Sequence, residues 1–224
     1  MREALRPRLA VHHDLSMPSA FSIIRAADLK AVPWKNGGGA TREIAASPQG
    51  AAFDAFDWRV SVADVSAAGA FSVFEGIDRV LTLIEGAEMV LTDSTGPRHV
   101  LARWDSLGFA GETRIAAELP HGPTRDFNLM LRRDRVQGSV SVRRQAEQLN
   151  VVQGSVVLVC ALGEFDVNGE RLSQGDALVM YAAHDTHDAH ASHDTHDAQV
   201  LNVAPFSEGA VLIDARIVSK ESRT

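Results

Sequence analysis

The sequence is poor in cysteine, tyrosine, basic charge and long apolar runs, and each shortage excludes something. One cysteine among 224 residues, Cys160, closes no intrachain disulfide and builds no cysteine-based zinc finger. The single tyrosine, Tyr181, leaves little choice for tyrosine-based acid/base chemistry. Lysine and arginine number 22 against 29 acidic residues, a formal net charge of −7 and a pI near 5.7. No basic excess exists to neutralise phosphates, so neither nucleic acid nor an anionic membrane is an expected partner. The purest apolar run, 156–162, is far shorter than the ~20 residues a bilayer-spanning helix requires. At the N-terminus, His12, His13 and Asp14 interrupt any signal-peptide core behind Arg2, Arg6 and Arg8. The expected location is the cytoplasm.

What is there reads mostly as strand. Along 56–65, Trp58, Val60 and Val62 fall on one face, and Arg59, Ser61 and Ala63 on the other. Aliphatic and β-branched runs recur at 78–84, 89–92, 127–131, 151–152, 156–160, 177–180, 200–203 and 211–218. Turn signals separate them, among them Asn36-Gly37, Glu85-Gly86 and Asn168-Gly169. Helical signal is confined to a turn at 26–30 and a short piece at 144–149. This pattern predicts an all-β sandwich or barrel. LIEGAE at 83–88 echoes ALGEF at 161–165, and SLGF at 106–109 echoes QGDAL at 174–178. That rhythm predicts a duplicated jelly roll: an extension over 1–19, a first half over 20–135, and a second over 136–218, meeting near 133–139.

Three segments carry chemistry. In VPWKNGGGATRE at 32–43, three glycines let another group approach the backbone, and Trp34, Lys35, Asn36, Thr41 and Arg42 surround them. Two readings stand: a loop holding a carboxylate or phosphate, and a hairpin turn begun by Asn36-Gly37 with Trp34 in the core. The segment matches no nucleotide-binding fingerprint. Arg59 sits mid-strand, where a buried guanidinium requires a carboxylate such as Asp64 or Asp78, or a bound anion; a solvated sheet face is the other reading. Asp126 and Asn128 share a strand face opposite Phe127 and Leu129. They either orient a ligand or satisfy backbone groups at a strand entry.

Taken together, PWKNGGGATREI at 33–44, FDWRVSVADV at 56–65, GAFSVFEGIDR at 69–79 and DFNLMLRR at 126–133 resemble the HutD/Ves family, in order and with similar spacing from about 21 to 218. The resemblance implies a bicupin, two cupin-like jelly-roll barrels in one chain. It implies an association with bacterial histidine utilisation, and a regulatory protein that binds a small carboxylated metabolite such as urocanate or a formylated or formiminated glutamate. The pocket motif would fall on Trp34, Asn36, Gly37, Gly38, Thr41, Arg42, Arg59, Ser61 and Asn128. Fold analogy adds a homodimer.

The sequence departs from metal-dependent cupins, which carry His-x-His on a barrel strand. The comparable strand here reads Arg59-Val-Ser61, and a guanidinium is no ligand for a cation. No metal or other cofactor is therefore expected in the barrel, and His99 and His121 read as surface or loop residues. Five of the nine histidines, His184, His187, His190, His193 and His196, recur every third position within 184–198. With their neighbouring aspartates they form either an adventitious metal-binding tract or a repeat expansion in a tolerant loop. The tract carries four of the chain's seven net negative charges, so the body is only mildly acidic. Two other functions compete with ligand binding. One is a metal-independent isomerase or epimerase, weakened because Tyr181 and His121 lie off the motif strands. The other is an interaction protein with a vestigial pocket.

Overall fold

Short alternating runs punctuated by glycine turns fold as strands. In the computed structural model, residues 21–52, 55–94, 96–181 and 199–220 are described. Strands are numbered in chain order. A first inner sheet runs β2 (Ala31–Pro33), β3 (Gly39–Ser47), β4 (Trp58–Val65), β11 (Thr124–Arg132), β6 (Ile77–Glu85) and β9 (Ser106–Ala110). Its outer sheet runs β5 (Gly69–Ala70), β10 (Ile115–Glu118), β7 (Glu88–Asp93) and β8 (Arg98–Ala102). A second inner sheet runs β1 (Ser22–Ile24), β17 (Ala177–Met180), β14 (Ser155–Leu162), β19 (Val211–Ser219) and β12 (Val136–Arg143). Its outer sheet runs β13 (Glu147–Val151), β18 (Gln199–Pro205), β15 (Glu164–Val167) and β16 (Glu170–Ser173).

The strand order repeats. Inner order β4-β11-β6-β9 reappears as β12-β19-β14-β17, and outer order β5-β10-β7-β8 as β13-β18-β15-β16. The weak sequence echo thus marks equivalent turns, β6 into β7 and β14 into β15. β3 extends the first inner sheet beside β4, whereas β1 crosses to pair with β17 of the second. The expectation of barrels is corrected in one respect: the described strands form four separate sheets, and none closes on itself. Each half is a two-sheet sandwich whose edges are not hydrogen-bonded together.

Three apolar layers hold the four sheets. Val65, Leu81, Leu83, Met89 and Leu91 fill the first sandwich, and Leu158, Phe165, Leu172 and Leu178 the second. Between the inner sheets lie Trp58, Phe127 and Leu129 against Val157, Val159 and Ile213. β14 is buried on both faces, hence its unbroken apolar run. Trp58 stacks on Tyr181 across this layer, with ring centroids 5.6 Å apart. A 3-10 turn forms at Ala26–Asp28, within the expected turn. The short helix expected at 144–149 is instead the entry to β13, whose Leu149 is buried against the second core while β18 supplies its backbone partners.

Asp176 docks the crossing N-terminal strand. It accepts hydrogen bonds from Arg25 Nη1 at 2.8 Å, Ala26 N at 2.8 Å and Ser173 N at 3.2 Å. Burial pushes its carboxyl up, but these donors and the Arg25 charge outweigh burial and hold it below its usual range. Asp176→Ala is expected to lower stability by about 1–2 kcal/mol in urea denaturation, because it removes three part-buried hydrogen bonds at once.

Candidate functional site

A cavity of about 1000 Å³ opens inside the first half. Its floor is the inner face of β4, β6 and β11. The two-residue period aims Arg59, Ser61, Arg79, Asp126, Asn128 and Met130 at it while Trp58, Val60, Phe127 and Leu129 face the other half. Both face assignments read from the sequence are met. Of the site residues expected from the resemblance, the structure brings Trp34, Asn36, Thr41, Arg59, Ser61 and Asn128 to the cavity wall. Gly37 and Gly38 form the turn behind that wall. Gly37 N donates to Trp34 O, and Gly38 N donates to Asn36 Oδ1 at 3.0 Å. The hairpin reading of this loop holds, since β2 and β3 pair on either side of it.

Arg42 is placed elsewhere. It alternates with Thr41 and Glu43 on β3, so it faces the opposite side and lines a separate cavity of about 300 Å³ with Leu29, Val159 and Ala161. There Asp64 takes ion pairs from Arg42 and, at 2.6 Å, from Arg125. Cys160 also lines this small cavity, and burial pushes its thiol up to about 11, which keeps it protonated and unreactive. The expected carboxylate partners of Arg59 are corrected accordingly. Asp64 is on the wrong face, and Asp78 pairs with Arg133 at 2.7 Å. Arg59 Nε instead donates to Glu43 Oε2 at 2.7 Å. Glu43 opposes Ser61 in regular register, on the same face of β3 as Thr41, and a bulge at Ile44 follows, where the register steps to Ala45↔Val60. Glu43 therefore reaches the cavity by plain alternation, and the bulge sends Ile44 and Ala45 both into the core.

Glu43 and Arg79 were not among the expected residues, and Asp126, weighed from the sequence as a ligand-orienting residue, lay outside the motif that the resemblance implies. Arg79 is 8% exposed. Its Nη2 donates to Asn128 Oδ1 at 2.7 Å, while its buried Nε meets no hydrogen-bond partner among the described residues. The rings of Phe71, Phe74 and Phe109 surround its guanidinium, with centroids 5.4, 5.6 and 5.0 Å away. Burial lowers Arg79 to about 10, which leaves it charged at neutral pH. Asp126 is 1% exposed and accepts a hydrogen bond from Asn128 Nδ2. Burial pushes its carboxyl up to about 7, against the pull of Arg79. The sequence did hold a signal for Arg79: inward period-two positions on β6 read Ile77, Arg79, Leu81, Leu83, and the charge interrupts an otherwise apolar face.

The repeated strand order shows that this topology does not require these charges. Registers align Arg59 with Ser139, Arg79 with Val156 and Asp126 with Leu212. Where Asn128 stands, the second half has Asp214, closed by Arg143 and Arg216 at 3.1 Å each. One sandwich is thus filled, and the other carries a charged belt between two apolar clusters. Departures of this kind from a consistent core mark functional sites.

The donor set does not fit a divalent cation. Two guanidiniums, donors only, point into the cavity, and among the described residues no three His, Cys, Asp or Glu side chains converge. The histidine tract and the extension over 1–19 lie outside the described residues. The strands expected to flank the tract are β17 and β18, and the equivalent connection between β9 and β10 spans only four residues, 111–114.

Asp126 also sets a pH dependence of stability. Its native carboxyl holds a proton far above its ordinary value of 3.8, so its contribution is greatest below about pH 4 and declines as pH rises to about 7. Glu112, Asp64 and Asp176 are shifted downward and act with the opposite sign, at more acidic pH. The melting temperature is therefore expected to fall between about pH 5 and about pH 7, and Asp126→Asn to flatten that slope in calorimetry.

Fold and cavity together define an all-β protein of cupin-like fold with a charged interior site. A HutD family model matches residues 26–199, and the chain belongs to the HutD family. A Pseudomonas putida relative, an uncharacterized 21.2 kDa protein from the hutC 3′ region, is 34% identical over 150 residues, 67% of this chain and 78% of that one. Protein Ves of Cronobacter sakazakii is 38% identical over 150 residues, 65% and 81% of the two chains. The solved HutD of Pseudomonas fluorescens SBW25 shares 29% identity at a TM-score of 0.75, covering 89% of this chain and 99% of that one. Ylba from Escherichia coli, at 10% identity and a TM-score of 0.63 over 91% and 93%, is alike in fold alone. No helix among the described residues is long and apolar enough to cross a membrane.

Proposed function

We propose that this protein binds a small carboxylated metabolite in the first-half cavity and acts in the cytoplasm as a modulator of histidine utilisation. The observation that carries the reading is the pair of inward guanidiniums, Arg59 and Arg79, under aromatic walls from Trp34, Phe71 and Phe74. Only Arg59 is met by a carboxylate within ion-pair distance among the described residues. A planar carboxylate suits such donors. Asn36, Thr41, Ser61 and Asn128 supply the orienting polar groups, and Trp34 Nε1 is held by Thr41 Oγ1 at 2.8 Å. The reading includes a bicupin ancestry, which the repeated strand order supports. Family membership and the hut-region relative support the metabolic setting.

Thermal-shift screening against urocanate, N-formylglutamate and N-formiminoglutamate tests the proposal, with turnover assays on every stabilising compound. Stabilisation without turnover is the expected result. Arg59→Ala is expected to weaken the best binder by about 10- to 100-fold in calorimetric titration, as lost charge-assisted hydrogen bonds do. A full panel that leaves the melting temperature unchanged overturns the reading. A second reading, a metal-independent isomerase or epimerase, is favoured by one observation: Asp126, near 7 and on the cavity wall, is poised for proton transfer. Turnover that disappears in Asp126→Asn would select it.

A further inference from the structure

We propose that the cavity takes up its anion together with one proton, held on the carboxyl of Asp126. The inference rests on the carboxylate-binding reading above and adds a condition to it. Asp126 and Arg79 stand on neighbouring strands, β11 and β6, and share the Asn128 amide. Asn128 donates to Asp126 and accepts from Arg79. Both charged groups are over nine-tenths buried, and Arg79 Nε lacks a hydrogen-bond partner among the described residues.

The remaining charges around the carboxyl settle the balance. On β4, Arg59 faces the cavity and pairs with Glu43 of β3, so that pair adds no net charge. Asp64, on the far face of β4, is matched by Arg42 and Arg125. Asp28, Lys30 and Lys35, from the segment before β3, complete the charged lining but are exposed and solvated at its mouth, so the buried balance lies between Arg79 and Asp126; no histidine is part of the lining. If Asp126 is ionised, Arg79 is already compensated, and an entering carboxylate meets a buried like charge. If Asp126 is protonated, Arg79 leaves one uncompensated positive charge, which one carboxylate balances. Ligand carboxylate and Asp126 carboxylate therefore compete for one cation, and binding draws a proton onto Asp126 by linkage. Burial already holds the group near 7, so both forms are populated around neutral pH.

Acetate is a suitable probe, because it carries one charge and does not titrate between about pH 6 and about pH 9. Wild-type affinity is expected to fall with rising pH, approaching tenfold per unit above Asp126's value near 7. Calorimetry in two buffers of different ionisation heat should show up to about one proton taken up per acetate bound. Asp126→Asn, a neutral isostere, should bind acetate with a flat pH profile and no proton uptake, with its fold verified by circular dichroism. Acetate affinity in the wild type that stays constant across this range overturns proton coupling while leaving carboxylate binding intact. A slope that persists in Asp126→Asn overturns the assignment to Asp126. Absence of acetate binding at every pH, together with a silent metabolite screen, overturns the carboxylate reading and this inference with it.

Discussion

Arg79→Met is expected to abolish carboxylate binding, by about 100-fold or more, while leaving the protein at least as stable. The two effects separate because Arg79 is a buried cation whose compensation is incomplete. Its Nη2 has Asn128, its Nε has no hydrogen-bond partner among the described residues, and three phenylalanines crowd its guanidinium. Methionine fills similar volume among Phe71, Phe74 and Phe109 without the desolvation penalty. The equivalent position in the second half is Val156, so this topology accepts an apolar side chain there. A gain of about 0–2 kcal/mol in denaturant unfolding is the expected direction. Binding lost with stability kept would mark Arg79 as a residue retained for its ligand. A loss of more than about 2 kcal/mol would instead make it a structural member of the belt.

The second large effect is expected at Gly39, the third glycine of the run. A Cβ there would lie 2.2 Å from the Asp64 carbonyl oxygen and 3.2 Å from the Trp34 ring. The first contact is with the backbone of β4, which cannot rotate aside. Gly39→Ala must therefore separate β3 from β4 at the Gly39↔Val65 pair or displace the Trp34 wall. A destabilisation of about 3 kcal/mol or more is expected in urea titration, together with a shift in tryptophan fluorescence. Gly37→Ala should cost less, about 1 kcal/mol, because only its φ of +72° resists a side chain and the space around it is open. Gly37 and Gly39 thus have different reasons for being there. An equal cost at Gly37 and Gly39 would refute the close-approach account.

Much of this was legible in the sequence. Alternation along 56–65 assigned Trp58 and Arg59 to opposite faces, and the same rule did so for Phe127 and Asn128. The echo between 83–88 and 161–165 falls at turns that occupy the same place in the two strand orders. Arg42 went astray for an identifiable reason. Motif proximity groups it with Thr41 and Trp34, but a two-residue period sends neighbours to opposite sides of a sheet. The same period that sends Arg42 away puts Glu43 on the face of Thr41, so Glu43 was legible and was missed only because it is not one of the motif residues. The 144–149 segment misled because local helix preference is weak beside strand pairing and burial, and Leu149 gains its partners only from β18 and the second core.

The sequence by itself determined the all-β class, the faces of the central strands, the turn at Asn36-Gly37 and the shortage of ligands for a metal in the motif strands. These are local properties, set by alternation, turn chemistry and residue type. Only the tertiary structure decided which charges meet. Arg59 with Glu43, Arg79 and Asp126 across Asn128, and Arg42 in another cavity all depend on pairing registers between strands far apart in the chain. Whether a guanidinium is compensated or left available follows from that geometry, because Coulomb attraction and desolvation act through space rather than along the chain.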